Sequence, residues 1–145
     1  LSYTQFRYDQ LRVSPGKKPD QFVITCTVTN SGVRAGREIV QLYVGAPAKT
    51  MDKPREELRG FAKTGLLAPG KSEFLRFVVN ASDLASFDTP SSSWITEAGI
   101  YRVMIGASSE DIRLQGEFTI AKPVVVEKDH AVLQPAVPID ELKNK

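Results

Sequence analysis

The residue pattern calls for an all-β chain folded as an antiparallel β-sandwich. Apolar and polar residues alternate with period two in six or seven short segments, as in strands with one face inward and one outward. Gly, Pro and Asn punctuate those segments as turn formers. With 145 residues the chain fits one domain, and a chain of this size buries roughly two-thirds of the surface its unfolded form exposes. Two antiparallel sheets packed face to face are the economical way to bury so many short strands.

Phe6 and Tyr8 alternate with Arg7 and Asp9, and the phase then slips so that Leu11 and Val13 alternate with Arg12. A bulge near Asp9-Gln10 accounts for the slip. After a turn at Pro15-Gly16 and Lys17 to Asp20, Phe22, Ile24, Cys26 and Val28 share one face, with Val23, Thr25, Thr27 and Thr29 on the other. This is the cleanest strand, and Cys26 reads as a small core hydrophobe, because apolar burial raises a thiol's pKa and silences it. Asn30-Ser31-Gly32 ends the strand, and a turn at Ala35-Gly36 leads into a strand from Glu38 to Val44. There Val40, Leu42 and Val44 alternate with Ile39, Gln41 and Tyr43, so both faces are partly apolar, as in a strand that abuts another body. A loop from Gly45 to Asp52 follows, and then the charged stretch Lys53 to Phe61.

Leu66 to Lys71 is a turn, and Ser72 to Val79 is a strand with Leu75, Phe77 and Val79 opposite Phe74, Arg76 and Val78. Ser82 to Asp88 breaks the alternation and predicts a single helical turn, capped by Ser82 or Asp83, with Leu84 and Phe87 on its inner side. Thr89 to Ser93 is a polar loop, followed by Trp94-Ile95 and a turn at Glu97-Ala98-Gly99. Tyr101, Val103 and Ile105 alternate with Arg102 and Met104; after a turn from Gly106 to Asp111, Ile112, Leu114 and Phe118 alternate with Arg113 and Glu117. From Ala121 the pattern dissolves among Pro123, Pro135 and Pro138. The expected organisation is therefore a sandwich over residues 1–120 and an irregular extended tail over 121–145, its isolated Val, Leu and Ile residues anchoring it on the sandwich or on a neighbouring domain.

Composition narrows the function. With 19 basic and 17 acidic residues the net charge is +2, which gives no strong field toward nucleic acid or an anionic membrane. Cys26 is the only cysteine and His130 the only histidine, so zinc sites and Cys-His or Ser-His nucleophilic sites lack raw material. No apolar run reaches the roughly 18 residues of a membrane span. No metal or other cofactor is expected. The chain opens on Leu1 without a Met, as a piece of a longer or processed polypeptide would.

Several segments together resemble the fibronectin type III-like domain that closes many family 3 glycoside hydrolases, the β-glucosidases and β-xylosidases among them. The segments are Leu1 to Thr4 with Phe6 and Tyr8, Val28 to Gly32, Gly36 to Val44, Pro54 to Phe61, Leu67 to Gly70, Asp83 to Asp88, and Gly99 to Val103 through Gly106 to Ser109. The resemblance covers Leu1 to about Ile120 and implies a fibronectin type III or immunoglobulin-like sandwich. It also implies that catalysis belongs to an Asp nucleophile and an acid/base carboxylate in preceding domains, which would be this domain's partners. A retaining glycosidase needs two carboxylates about 5 Å apart beside a sugar site, whereas Glu56-Glu57 and Glu110-Asp111 read as solvated turn charges. Secretion of a polysaccharide-degrading parent suits an extracytoplasmic location, which a single cysteine permits.

In the family the charged stretch runs Pro, any residue, a basic residue, Glu, Leu, Lys, Gly, Phe; here Glu56 stands in the basic position and Arg59 in place of Lys. We expect Pro54, Arg55, Glu57, Leu58, Arg59, Gly60 and Phe61 to form a docking element for the catalytic domains, with the arginines as planar forks and Leu58 and Phe61 as apolar anchors. In an unbroken strand Arg55, Glu57 and Arg59 point one way and Glu56, Leu58 and Gly60 the other, while Gly60 allows a positive φ or close approach by another backbone. The alternative for the stretch is a sandwich strand with an ordinary charged outer face. Trp94, beside a Ser-rich loop, is a second candidate as a sugar-stacking ring on a carbohydrate-binding module that targets polysaccharide, against the commoner use of Trp in a core or interface. A third reading is an adhesion-type interaction sandwich. Asn80-Ala81-Ser82 is a glycosylation sequon with meaning only in a eukaryotic secreted protein.

Overall fold

The computed structural model describes residues 5–47 and 56–126. Among the described residues the strands run, in chain order, β1 Phe6–Pro15, β2 Gln21–Asn30, β3 Ile39–Gly45, β4 Glu56–Lys63, β5 Ser72–Asn80, β6 Ser86–Asp88, β7 Ser93–Thr96, β8 Gly99–Ser108, β9 Asp111–Ile120 and β10 Val124–Val126. Seven of them make the sandwich: β1-β2-β5 form one sheet and β4-β3-β8-β9 the other, and β1 lies over β9 while β5 approaches β4. Every pairing is antiparallel.

The core follows from alternation. Ile24, Cys26, Val28, Leu75, Phe77 and Val79 face inward from the first sheet, and Val40, Leu42, Val44, Tyr101, Val103, Ile105, Phe118 and Ile120 meet them from the second. The Phe118 ring stacks between Phe22, at 4.2 Å, and Tyr101, at 5.4 Å. Tyr101 Oη donates to the Glu97 carbonyl at 2.7 Å, the tyrosine corner by which such sandwiches pin the entry to this strand. Between Asp9 and Arg12 the β1 register shifts by one residue, with Gln10 at φ 58°. This is the expected bulge, and it lets Phe6, Tyr8, Leu11 and Val13 all face the core.

Two regions depart from expectation. The segment after β5 is a single 3-10 turn, Ala81–Leu84; Asn80 occupies its N-cap position without a capping side-chain bond, so neither Ser82 nor Asp83 caps it. Leu84 packs on the core, but Phe87 sits in β6 and is half exposed. The polar loop expected from Thr89 to Ser93 is a tight connection in which Asp88 Oδ2 accepts from the Ser91 N–H at 3.1 Å and the Ser91 hydroxyl at 2.6 Å, so Ser93 already belongs to β7. Strands β6, β7 and β10 then form a small third antiparallel sheet in the order β10-β7-β6. Short strands of three or four residues offer too little alternation to register in a sequence pattern. The beginning of the expected irregular tail thus supplies a strand, and Val124 packs against the core. Residues 127–145 lie outside the described residues, as do Leu1 to Thr4 and His130.

Asn30 ties the turns at one end of the sandwich together. It is fully buried; its Nδ2 donates to the carbonyls of Arg34 and Leu67, both at 2.8 Å, and its Oδ1 accepts the Gly32 N–H at 2.8 Å. Its backbone pairs with Gly70 and Lys71. Such a group is stable inside only because its hydrogen bonds are made. Asn30→Ala is therefore expected to destabilise the chain by about 2–4 kcal/mol, the cost of stranding several buried partners, read as a lower midpoint in urea; an unchanged midpoint would contradict the assignment.

Burial pushes the Cys26 thiol up to about 11, with the Asp9 charge adding to the shift. The folded value lies above the ordinary 9.0, so the thiol's contribution to stability is full below about pH 9 and is lost as pH rises toward 11. At pH 8 Cys26 is expected to react with a thiol reagent only as fast as the chain unfolds; rapid labelling of the native chain would show that it is accessible.

Candidate functional site

The charged stretch folds as β4, an edge strand paired on one side with β3. Pro54 and Arg55 lie outside the described residues. Within β4 the register slips between Leu42 and Tyr43: Leu42 pairs with Gly60 and Tyr43 with Leu58, leaving Arg59 as the inserted residue of a bulge. The unbroken alternation expected here is therefore corrected. Gly60 faces the core, where a Cβ would stand 3.4 Å from Phe77 Cδ1, and its φ is not positive. The close approach it allows is by a side chain of the facing sheet, not by a backbone.

One inserted residue exchanges the faces of a strand from that point on. Without the bulge Leu58 and Phe61, three apart, would point to opposite sides. With it, Leu58 sits opposite Tyr43 and Phe61 opposite Gln41, both on the outer face of the four-stranded sheet, and Ile39 shares that face beside Lys63. Phe61 is 70% exposed, Leu58 50% and Ile39 49%. Tyr43 Oη donates to Gln41 Oε1 in the middle of this patch. The chain thus presents an apolar stripe with one polar pair inside it.

The charges of β4 are turned to one another and to β8, the second strand along the sheet. Arg59 pairs with Glu57, and Arg102 Nη2 of β8 lies 3.6 Å from Glu56 Oε2. Glu56, which stands where the resembled motif has a base, therefore meets an arginine on its own sheet. On β9, Arg113 grips the Asp111 carboxylate with two hydrogen bonds, at 3.1 and 2.8 Å. That contact lowers the Asp111 pKa and raises that of Arg113. Arg113 also donates to the Phe6 carbonyl at 2.6 Å and lies 4.7 Å over the Tyr8 ring. Tyr8 Oη donates to Glu38 Oε2 at 2.7 Å, and burial, reinforced by this bond, raises the phenol pKa. This cluster joins residues 30 and 107 positions apart, and no local spacing announces it.

Trp94 is half-buried on the small sheet, with Phe87 set edge-on to it at 5.6 Å and 70°. The two rings share no plane on which a sugar ring would lie flat across both. Among the described residues no three His, Cys, Asp or Glu side chains are grouped as metal ligands. At Asn80 the side chain is committed locally: its Oδ1 accepts from Gln21 Nε2 at 3.1 Å and its Nδ2 faces Asp83 at 3.4 Å.

A family model for the fibronectin type III-like domain matches residues 38–109. Beta-glucosidase A of Butyrivibrio fibrisolvens is 35% identical over 146 residues, which takes in 88% of this chain and 18% of that protein. Beta-glucosidase 3B of Thermotoga neapolitana, solved in complex with α-D-glucose, is 41% identical with a TM-score of 0.78 over 87% of this chain and 17% of its own. The GH3 β-glucosidase of Bifidobacterium adolescentis is 32% identical with a TM-score of 0.74, over 98% of this chain and 19% of its own. The chain therefore spans less than a fifth of the length of these relatives. Its three-plus-four sandwich, its motif order and these likenesses agree: the chain carries a fibronectin type III-like domain, similar to the matching part of these family 3 β-glucosidases.

Proposed function

We propose that this chain is a non-catalytic accessory domain of a family 3 glycoside hydrolase, a β-glucosidase or related exo-glycosidase, which docks on the catalytic domains of the same polypeptide and stabilises them. The outer face of β4 and β3 carries this reading: a bulge gathers Leu58 and Phe61 beside Ile39 and Tyr43 on a surface that the sandwich itself leaves uncovered. Apolar side chains aligned on one exposed face suit a partner surface better than water, and each would contribute roughly 1 kcal/mol on burial. The occupant is the rest of the polypeptide, since relatives devote more than four-fifths of their length to other parts. Gln41 and Tyr43 inside the patch supply directional contacts that fix orientation.

Of the acids considered as catalytic, Glu56, Glu57 and Asp111 each lie against an arginine. The hydrogen bonds from Arg113 hold the Asp111 carboxyl below its ordinary pKa, and a carboxylate so held is a poor general acid, which supports placing the chemistry elsewhere in the parent. The docking surface keeps Leu58 and Phe61, the apolar anchors read from the sequence, whereas Arg59, expected as a fork toward the partner, is engaged with Glu57.

The double substitution Leu58→Ser with Phe61→Ser is expected to leave the isolated chain's stability within about 0.5 kcal/mol, as for exposed positions. In the parent enzyme the same change is expected to lower the unfolding temperature of this domain by roughly 5 °C or more. Equal behaviour in both settings would sink the docking role. The 145-residue chain alone is expected to leave aryl β-glucosides intact, and turnover above that of buffer would overturn its non-catalytic assignment.

A further inference from the structure

At the end of the sandwich where β1, β3 and β9 begin, a groove of about 480 Å³ is lined by Gln5, Phe6, Ser31, Arg37, Glu38 and Arg113. That volume falls within the usual range of small-molecule sites. None of Ile39, Tyr43, Leu58 or Phe61 lines it, so it is separate from the docking face and its reading does not depend on docking.

The two walls are held chiefly by Asp111, Tyr8 and Thr64, which do not line the groove. Arg113 is fixed by the Asp111 carboxylate and by the Tyr8 ring, as well as by the Phe6 carbonyl. Glu38 is fixed by the Tyr8 hydroxyl at 2.7 Å, and its own backbone is tied to Thr64 by two hydrogen bonds of 2.9 Å. A carboxylate has more acceptor positions than one phenol fills, and a guanidinium has five N–H donors. Arg37 is exposed and adds a second fork of donors at the rim. Gln5 and Ser31 each add a side chain that both donates and accepts, and Phe6 adds an apolar wall.

Charge selects the ligand class. The guanidiniums of Arg37 and Arg113 are balanced by the carboxylates of Glu38 and of Asp111 behind Arg113. An anion entering the groove would meet Glu38, and a cation would meet the two arginines. A neutral molecule with closely spaced hydroxyls, donors and acceptors at once, satisfies both walls, and its C–H surface suits Phe6. We propose that this groove is a binding site for a neutral sugar residue, a pyranose presenting vicinal hydroxyls to Glu38 and Arg37, at a position unrelated to Trp94.

The test is an amide chemical-shift titration of the 145-residue chain with cellobiose, and in parallel with glucuronate and glucosamine as its anionic and cationic counterparts. The expected result is saturable shifts confined to Gln5, Phe6, Ser31, Arg37, Glu38 and Arg113, with a Kd on the order of 1 mM and weaker binding of both charged sugars. Arg37→Ala, at an exposed position, is expected to keep the fold and to raise the Kd about tenfold, the loss of one charge-assisted hydrogen bond. Absence of saturable shifts, shifts centred on Trp94 and Phe87, tighter binding of a charged sugar, or an Arg37→Ala chain that binds unchanged would each overturn the proposal. Loss of docking in the parent would leave these results untouched, so the two readings fail separately.

Discussion

A β-strand has two faces, and the strict alternation of its side chains decides which residues meet the core. Everything else in this chain depends on that constraint and on the bulges that reset it, those of β1 and β4 above all. In β1 the extra residue at Gln10-Leu11 keeps Phe6 and Tyr8 on the same side as Leu11 and Val13, so the edge strand covers β9 along its length. In β4 the extra residue is Arg59, and its effect is the reverse in purpose: the core side receives Gly60, while Leu58 and Phe61 are brought together outside. One bulge serves packing and the other composes a surface.

The second bulge explains why the charged motif looks overdesigned as a hairpin strand. Gly60 faces Phe77 of the facing sheet, and a Cβ there would come into van der Waals contact with its ring. Arg59 leaves the ladder and finds Glu57 two residues away. Edge strands carry charge and bulges as protection against pairing with other chains, and this one combines both with an apolar outer face that such protection alone would not require. The same compactness appears where Gly99 takes φ 141° and a Cβ would come within 2.8 Å of Pro47 Cγ, so that β8 starts tight against the end of β3.

Much of the fold was legible because its seven main strands are long enough for alternation to speak. Ile24, Cys26 and Val28, or Tyr101, Val103 and Ile105, face inward as their spacing says. The bulge in β1 was readable from the slip between Tyr8 and Leu11. The bulge in β4 left a similar trace, the odd spacing of Leu58 and Phe61, but charges on both sides of it hid the slip. The small sheet was not legible: β6, β7 and β10 have three or four residues each, and β10 pairs with β7 across a distance in sequence that no local pattern encodes. The Tyr8, Glu38 and Arg113 cluster was hidden for the same reason, since it exists only once three strands converge at one end. Family likeness located the motif, but only the register says which of its side chains face outward.

The central claim is that the outer face of β4 and β3 is covered by the parent polypeptide. Amide hydrogen exchange across Glu56 to Lys63, compared between the isolated chain and the parent enzyme, tests it most directly, because an uncovered edge strand exchanges through local opening well below the global stability. If the face docks, these amides exchange markedly more slowly in the parent while those of β2, already in the core, change little. Equal exchange of β4 in the two settings would mean that the face is open to water in the whole enzyme, and docking would have to be abandoned.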